Sequence, residues 1–370
     1  MTIAADRPAT QFTLPLGSEA AGPPEHRGVP RDGVRLLVAR PDRIEHRRFA
    51  DLPSLLEPGD LVVVNTSATL PAAICGRRHD DRAALVHIAT SLGPGEWVVE
   101  IRRLDGRGPD LTTHRGQRLY LPGGVALVLS TPYPDAALQE GPSRLWRAAV
   151  TPPTPLVKYL SEHGRPIRYG YLADQYPLAD YQTVYARQPG SAEMASAGRP
   201  FTAPLLVALM ASGITVAPVV LHAGVSSPEL HEPPAPERFE VPGPTARLVQ
   251  SACDAGHRVV AVGTTVVRAL ETATQPSGLI GPARGWTDLV VGPGHPVRIV
   301  TGLITGLHPP QASHLLVLEA LAGPELVEAA YAAAVQCRYL WHEFGDATLM
   351  LPDRHPGTNR LTYRAEPGRS

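Results

Sequence analysis

The run AVGTTVVRALE, residues 261–271, places a glycine, two threonines and an arginine where an apolar stretch hands over to a helical pattern. Gly263 permits a tight turn and lets a ligand approach the backbone closely. Thr264 and Thr265 fall where a helix leaves amide hydrogens unpaired and its dipole favours negative charge. At helical spacing Thr264, Arg268 and Glu271 share one face, while Val266, Val267 and Leu270 share another. The apolar face is expected on a sheet and the polar face towards a crevice or solvent. Such a set can hold a polar, partly anionic group. The same spacing also describes a plain helix cap beside a weak exposed Arg268–Glu271 pair, and the residues alone leave both readings open.

Other side chains suit proton transfer. His222 closes the apolar run VAPVVLH, and His308 falls in a loop between a predicted strand and a predicted helix. Either can act as a base or donor, although a histidine beside an apolar run is also a common core or capping group. Asp180, Tyr181, Gln182 and Thr183 read as a surface turn or a pocket wall, and Asp346 as a cap or a site residue. Glu193 and Glu343 are surface groups or a further acid and base. Metal chemistry is not expected: His79 and His87, and His222 and His231, lack the spacing of a metal motif, and no HExxH or cysteine cluster accompanies them. No glycine-rich phosphate loop follows a strand.

The elements that must position these groups can be read along the chain. The 370 residues, 43% hydrophobic and 19% charged with a net charge of −1, have globular composition and argue against a broad nucleic-acid-coating surface. No apolar run is long enough to span a bilayer, and no basic segment precedes an apolar stretch at the N-terminus, so a cytoplasmic protein is expected. Cys75, Cys253 and Cys337 form no close pair and are expected as buried free thiols. VRLLVAR (34–40) and GDLVVVN (59–65) predict strands. From 71 to 150 short β-rich runs follow one another without a helical period, which predicts a small β-barrel or sandwich. After Pro155 helix and strand alternate: helices over 202–213, 243–256, 264–273 and two beyond Gln311, strands over 214–224 and 257–263. Alternation implies an α/β fold with a mostly parallel sheet, residues 1–70 plus 151–370, carrying the 71–150 module as an insertion. The polar tail from Asp353 is expected to fray.

Together AVGTTVVRALE, PGDLVVVN, DYQTVYARQPGS, SAGRPFT, VLHAGV and YLWHEFGDATLM resemble, in order and spacing, the S-adenosylmethionine:tRNA ribosyltransferase-isomerases of queuosine biosynthesis. The resemblance spans residues 12 to 350. It implies an α/β domain with an inserted β-barrel domain, and S-adenosyl-L-methionine as a substrate with no metal. The implied reaction moves the cofactor's ribose to the aminomethyl group of a 7-deazaguanine in a tRNA anticodon and rearranges it to an epoxycyclopentane. Adenine and methionine leave. On that basis His222, His308 and Arg268 are expected to be catalytic. Gly263, Thr264, Thr265, Tyr181, Gln182, Thr183, Gly224 and Glu271 are expected around the cofactor.

The chain departs from the family within its motifs. The pattern N-[DN]-T-R-V-x-P-A-R becomes NTSATLPAA, with Ala68 and Ala73 at the arginine positions. P-T-A-G-L-H-F-T becomes ASAGRPFT, putting Arg199 for the leucine and Pro200 for the histidine. YRFFSYGDAM becomes YLWHEFGDAT, and Glu193 and Glu343 are new. Weaker phosphate contacts to tRNA are expected from the lost arginine forks, with at most one supplied by Arg199. Beside the family reaction stand two alternatives: a paralogue acting on S-adenosylmethionine with another acceptor or none, releasing adenine without efficient tRNA modification, and a non-catalytic binder.

Overall fold

Apolar runs and β-branched residues pair into two separate β structures in the computed structural model, which describes residues 7–105, 108–134, 143–226, 234–292 and 294–353. The chain opens with the hairpin β1 (Arg35–Arg40) and β2 (Arg43–Arg48), then β3 (Leu61–Asn65) and the short β4 (Ser67–Thr69). Six strands come next: β5 (Ala73–Arg78), β6 (Ala83–Gly93), β7 (Glu96–Arg102), β8 (Arg118–Leu121), β9 (Val125–Pro132) and β10 (Leu145–Thr151). The remainder runs α1 (Leu156–His163), β11 (Gln188–Ser191), α2 (Ala203–Ala211), β12 (Thr215–Leu221), β13 (Glu237–Val241), α3 (Gly243–Asp254) and β14 (Val259–Val262). It continues through α4 (Thr264–Thr272), β15 (Ala283–Thr287), β16 (Gly302–Gly306), α5 (His314–Ala322), α6 (Pro324–Gln336) and β17 (Ala347–Met350).

Nine strands form one sheet in the order β15-β13-β12-β3-β14-β16-β17-β1-β2. Its centre, β12-β3-β14-β16, is parallel, as the alternation of helix and strand requires. Both margins carry antiparallel partners, so the sheet as a whole is mixed. β3 and β14 are buried along their whole length because helices cover both faces. Leu37, Val63, Ala217 and Ala261 face one core with Val249, Val266, Leu315 and Val327 of α3, α4, α5 and α6. Leu36, Val38, Val62 and Val64 face the other, against Leu205 and Leu209 of α2. Successive residues turning to opposite faces is the period of a strand.

The strands β5 to β10 close into a six-stranded barrel in the order β10-β7-β6-β5-β8-β9, which leaves no open edge. Trp97, fully buried, packs inside with Val86, Val99 and Leu127, and Leu160 of α1 joins the same cluster. Ala73, the first residue of the barrel, exchanges two backbone hydrogen bonds of 2.9 Å with Arg165, which follows α1 after the last barrel strand. His87 in the barrel is buried and its Nδ1 has no partner among the described residues. Burial, then the nearby Arg102, push its pKa down to about 3. The unfolded chain binds this proton below about pH 6.5 and the native one does not, so stability is complete above that pH and declines as pH falls towards 3. Melting temperature is therefore expected to drop between about pH 6.5 and 4, and His87→Gln to flatten part of the fall.

Cys75 and Cys337 are exposed and Cys253 half-buried, so the free thiols are not uniformly buried as composition suggested. Among the described residues no helix is long and apolar enough to cross a membrane. The tail beyond Asp353 and His231 lie outside the described residues.

Candidate active site at the strand ends

Four neighbouring parallel strands end at one level, and the residues immediately after them build the site. β12 leads into His222, β3 into Thr66 and Ser67, β14 into Gly263, and β16 into Leu307 and His308. Crevices beyond the carboxyl ends of such strands are where open α/β sheets take ligands. A cavity of about 260 Å3 opens there. Gly263, Thr264, Thr265, Arg268, His222, Gly224 and His308 line it. Tyr181, Gln182, Thr183 and Glu271 do not.

Gly263 adopts φ 90°, a left-handed backbone that favours glycine, and it precedes the first turn of α4. No side-chain hydroxyl caps this helix, so Thr264 and Thr265 are not its caps. Arg268 is only 4% exposed. Its guanidinium pairs with Glu237 and donates to the carbonyls of Leu289 at 2.9 Å and Thr287 at 3.3 Å. The other Glu237 oxygen accepts the Gly224 amide at 2.7 Å. Arg268 thus ties α4 to the margin of the sheet and, through Glu237, to the loop after His222. It is no exposed partner of Glu271.

Glu271 is placed elsewhere. It is 2% exposed, and its two oxygens accept the amides of Arg298, Ile299 and Val300 at 3.0–3.2 Å. The carboxylate anchors a backbone turn, which corrects its expected place around the cofactor. Glu271→Ala leaves three amides without an acceptor and is expected to cost about 3 kcal/mol in urea denaturation, with Glu271→Gln between it and the wild type.

The 181–183 segment is also redirected. Gln182 exchanges hydrogen bonds of 2.9 and 2.8 Å with the Thr69 backbone, and the Tyr181 carbonyl accepts from Thr69 Oγ1 at 3.0 Å. The Tyr181 ring packs on Phe344, and Thr183 is buried. These residues brace β4 from behind instead of lining the cavity. β4 in turn pairs with β11 and supplies Ser67.

Ser67 serves His222. Its Oγ lies 2.8 Å from His222 Nδ1 and 2.6 Å from Ser191 Oγ, which accepts the Ala223 amide at 3.0 Å. The arrangement that gives both buried serine hydroxyls an acceptor runs from Ser191 to Ser67 to Nδ1. The proton then sits on Nε2, the nitrogen left to the cavity. Burial, with Arg238 adding, lowers the pKa of His222, so the ring is a neutral donor. His308 is held by Thr305 Oγ1 at 2.9 Å and stacks on His314 at 4.4 Å. Burial and its histidine neighbours hold it well below the usual range. His314, which the sequence did not single out, falls to about 4 for the same first cause.

Asp346 accepts the Arg35 amide and the Leu340 amide, both at 2.8 Å, and pairs with the Arg35 side chain, so it organises a turn. Arg199 is 2% exposed, gripped by both oxygens of Glu25 and stacked over Phe344. Its fork is spent inside the protein and does not replace the arginines missing at Ala68 and Ala73.

Comparison with known proteins adds the decisive observation: the family described as queuosine biosynthesis protein matches residues 9–350. This chain belongs to that family. An S-adenosylmethionine:tRNA ribosyltransferase-isomerase from Moorella thermoacetica is 37% identical, over 92% of this chain and 98% of its own length. The protein of that name from Thermus thermophilus is 35% identical, over 89% and 97%. The crystal structure of S-adenosylmethionine tRNA ribosyltransferase from Thermotoga maritima, 29% identical, covers 92% of this chain and 99% of its own with a TM-score of 0.50.

Proposed function

We propose that this protein is an S-adenosylmethionine:tRNA ribosyltransferase-isomerase. It consumes S-adenosyl-L-methionine as a substrate and transfers the ribose to 7-aminomethyl-7-deazaguanine in a tRNA anticodon. The product carries an epoxycyclopentane, and adenine and methionine are released. The observation that carries this reading is identity of 37% to a protein of that name over 98% of its length. Identity of this kind across nearly the whole chain favours the family reaction over a paralogue with another acceptor and over a non-catalytic binder.

The chemistry sets three demands. The sulfonium acidifies the C5′ hydrogens, and a base must remove one. Adenine departs readily only when a donor reaches it. The acceptor amine must be neutral and close to the sugar. His222, with its Nε2–H towards the cavity, is suited to donate, and His308, held neutral and tied to Thr305, is suited to position a partner by a hydrogen bond rather than to take the C5′ proton. The backbone amides of Thr264 and Thr265, at the start of α4, suit the methionine carboxylate, while the Gly263 amide is spent on the Ile304 carbonyl. Arg268 shapes the wall through Glu237. We place the enzyme in the cytoplasm with its tRNA, and take residues 71–150 as a domain inserted into 1–70 plus 151–370.

The test is to incubate the protein with S-adenosylmethionine, with and without tRNA bearing the aminomethyl base, and follow adenine and modified tRNA by mass. Both products are expected together. Adenine without modified tRNA supports the paralogue; neither supports a binder.

A further inference from the structure

Among the described residues, two carboxylates on the cavity wall have no arginine or lysine paired with them. Glu193, just beyond β11, accepts the Tyr169 hydroxyl, the Ser226 amide at 2.9 Å and the Ser226 hydroxyl at 2.8 Å. Glu343, before β17, accepts the Tyr171 hydroxyl. The rings behind them form one stack: Tyr169 on Tyr171 at 6.0 Å, and Tyr171 on His342 at 4.3 Å with 11° between planes. All five side chains line the cavity that contains Gly263–Thr265. The charged groups facing this corner from the barrel are Glu100, Arg102 and Arg144. Both arginines pair with Glu100 at 2.9 Å, and Arg102 stands 5.6 Å over the Tyr169 ring. Among the described residues no arginine or lysine pairs with Glu193 or Glu343.

We propose that Glu193 and Glu343, held by the Tyr169–Tyr171–His342 stack, receive the protonated aminomethyl group of the acceptor, and that Glu193 takes its proton. The inference rests on the reaction proposed for this enzyme. A carboxylate in a cavity without a cation is costly, and the cost is recovered when a cation arrives. A primary ammonium matches the arrangement because it has three hydrogens to donate to two carboxylates, whereas a sulfonium has none. The step balances: the R–CH2–NH3+ group passes one proton to the Glu193 carboxylate, giving a neutral R–CH2–NH2 with a free lone pair and a carboxylic acid. Burial, with Glu343 adding, pushes Glu193 up to about 7 against the lowering by its hydroxyl and amide donors. A base of that strength works at neutral pH.

Two readouts test the recess. Anticodon stem-loops carrying the 7-aminomethyl base or its neutral 7-cyano analogue are titrated by calorimetry. The wild type is expected to prefer the amine by about tenfold, and Glu193→Gln and Glu343→Gln to lose the preference while S-adenosylmethionine binding stays unchanged. In turnover, kcat/KM for the modified tRNA is expected to fall on the acid side of about pH 7. Glu193→Gln removes that limb and loses about 100-fold at neutral pH, recovering to within tenfold at about pH 9.5, where solvent deprotonates the amine. Tyr169→Phe removes a donor that lowers Glu193 and moves the limb to higher pH, a shift that a merely structural role does not produce. Unchanged preference and an unchanged limb in Glu193→Gln overturn the proposal, as does weakened S-adenosylmethionine binding, which makes the sulfonium the occupant. A wild type that prefers the amine but makes no product refutes the proposed reaction and leaves the recess standing.

Discussion

Arg268→Ala is expected to destabilise the protein by about 3–5 kcal/mol and to abolish adenine release, because it strands a buried carboxylate beside the site. Glu237 then has no cation, and it still holds the Gly224 amide of the loop after His222. The carbonyls of Thr287 and Leu289 lose their donors as well. Arg268→Lys keeps the charge but not the fork, and an intermediate loss is expected. Urea denaturation and adenine release measure the two effects. Adding Glu237→Gln to Arg268→Ala is expected to restore at least about 1 kcal/mol, since it removes the unpaired charge. If Arg268→Ala is as stable as the wild type and binds S-adenosylmethionine equally well, Arg268 does not shape the wall of this cavity.

That arginine also shows where sequence reading stops. Helical spacing correctly separated the apolar face of α4 from the face carrying Thr264, Arg268 and Glu271. It could not show that both faces are buried. The partner of Arg268 lies 31 residues earlier, on β13, and the partners of Glu271 are backbone amides near Ile299. Neither is visible in a local pattern. The central strands β3 and β14 were legible because burial on both faces demands unbroken apolar runs, and β12 because its second half, VVL, is buried in the same way although Thr215 and Pro218 are exposed. β2, β13 and β15 were not: RIEHRR, ERFEV and ARGWT are polar strands at or near the sheet margins, where one face meets water. The barrel was legible from the lack of a helical period, while β5, AICGRR, reads as strand only beside its partners. Among the site residues, His222, His308 and Gly263–Thr265 were found because they come directly after strands. Tyr169, Tyr171 and His342 were missed, since they sit in irregular segments that only the tertiary fold brings to the cavity.

Gly190→Ala is expected to cut turnover by about 100-fold with only a modest loss of stability, because it acts on His222 alone. A Cβ at Gly190 falls 2.2 Å from His222 Nδ1, 2.4 Å from Cε1 and 2.6 Å from Cγ. No side chain tolerates such contacts, so the imidazole must swing away or β11 must retreat. β11 is paired to β4 through Gln188 and Ser191, which favours movement of the ring. The swing breaks the Nδ1 contact with Ser67 and with it the serine relay that assigns the proton to Nε2. A misplacement of about 1 Å in a proton donor costs about two powers of ten in rate, whereas overpacking of this size costs about 1–3 kcal/mol. Ser67→Ala removes the same contact without displacing the ring and is expected to lose about tenfold, roughly the 1.4 kcal/mol of one hydrogen bond. The decisive comparison is the double variant. If Gly190 matters only by leaving room for His222, then Gly190→Ala adds nothing to the loss already caused by His222→Ala, and the two effects are strongly non-additive. Full additivity in adenine release shows instead that the alanine disturbs β11 or the cavity independently of the imidazole.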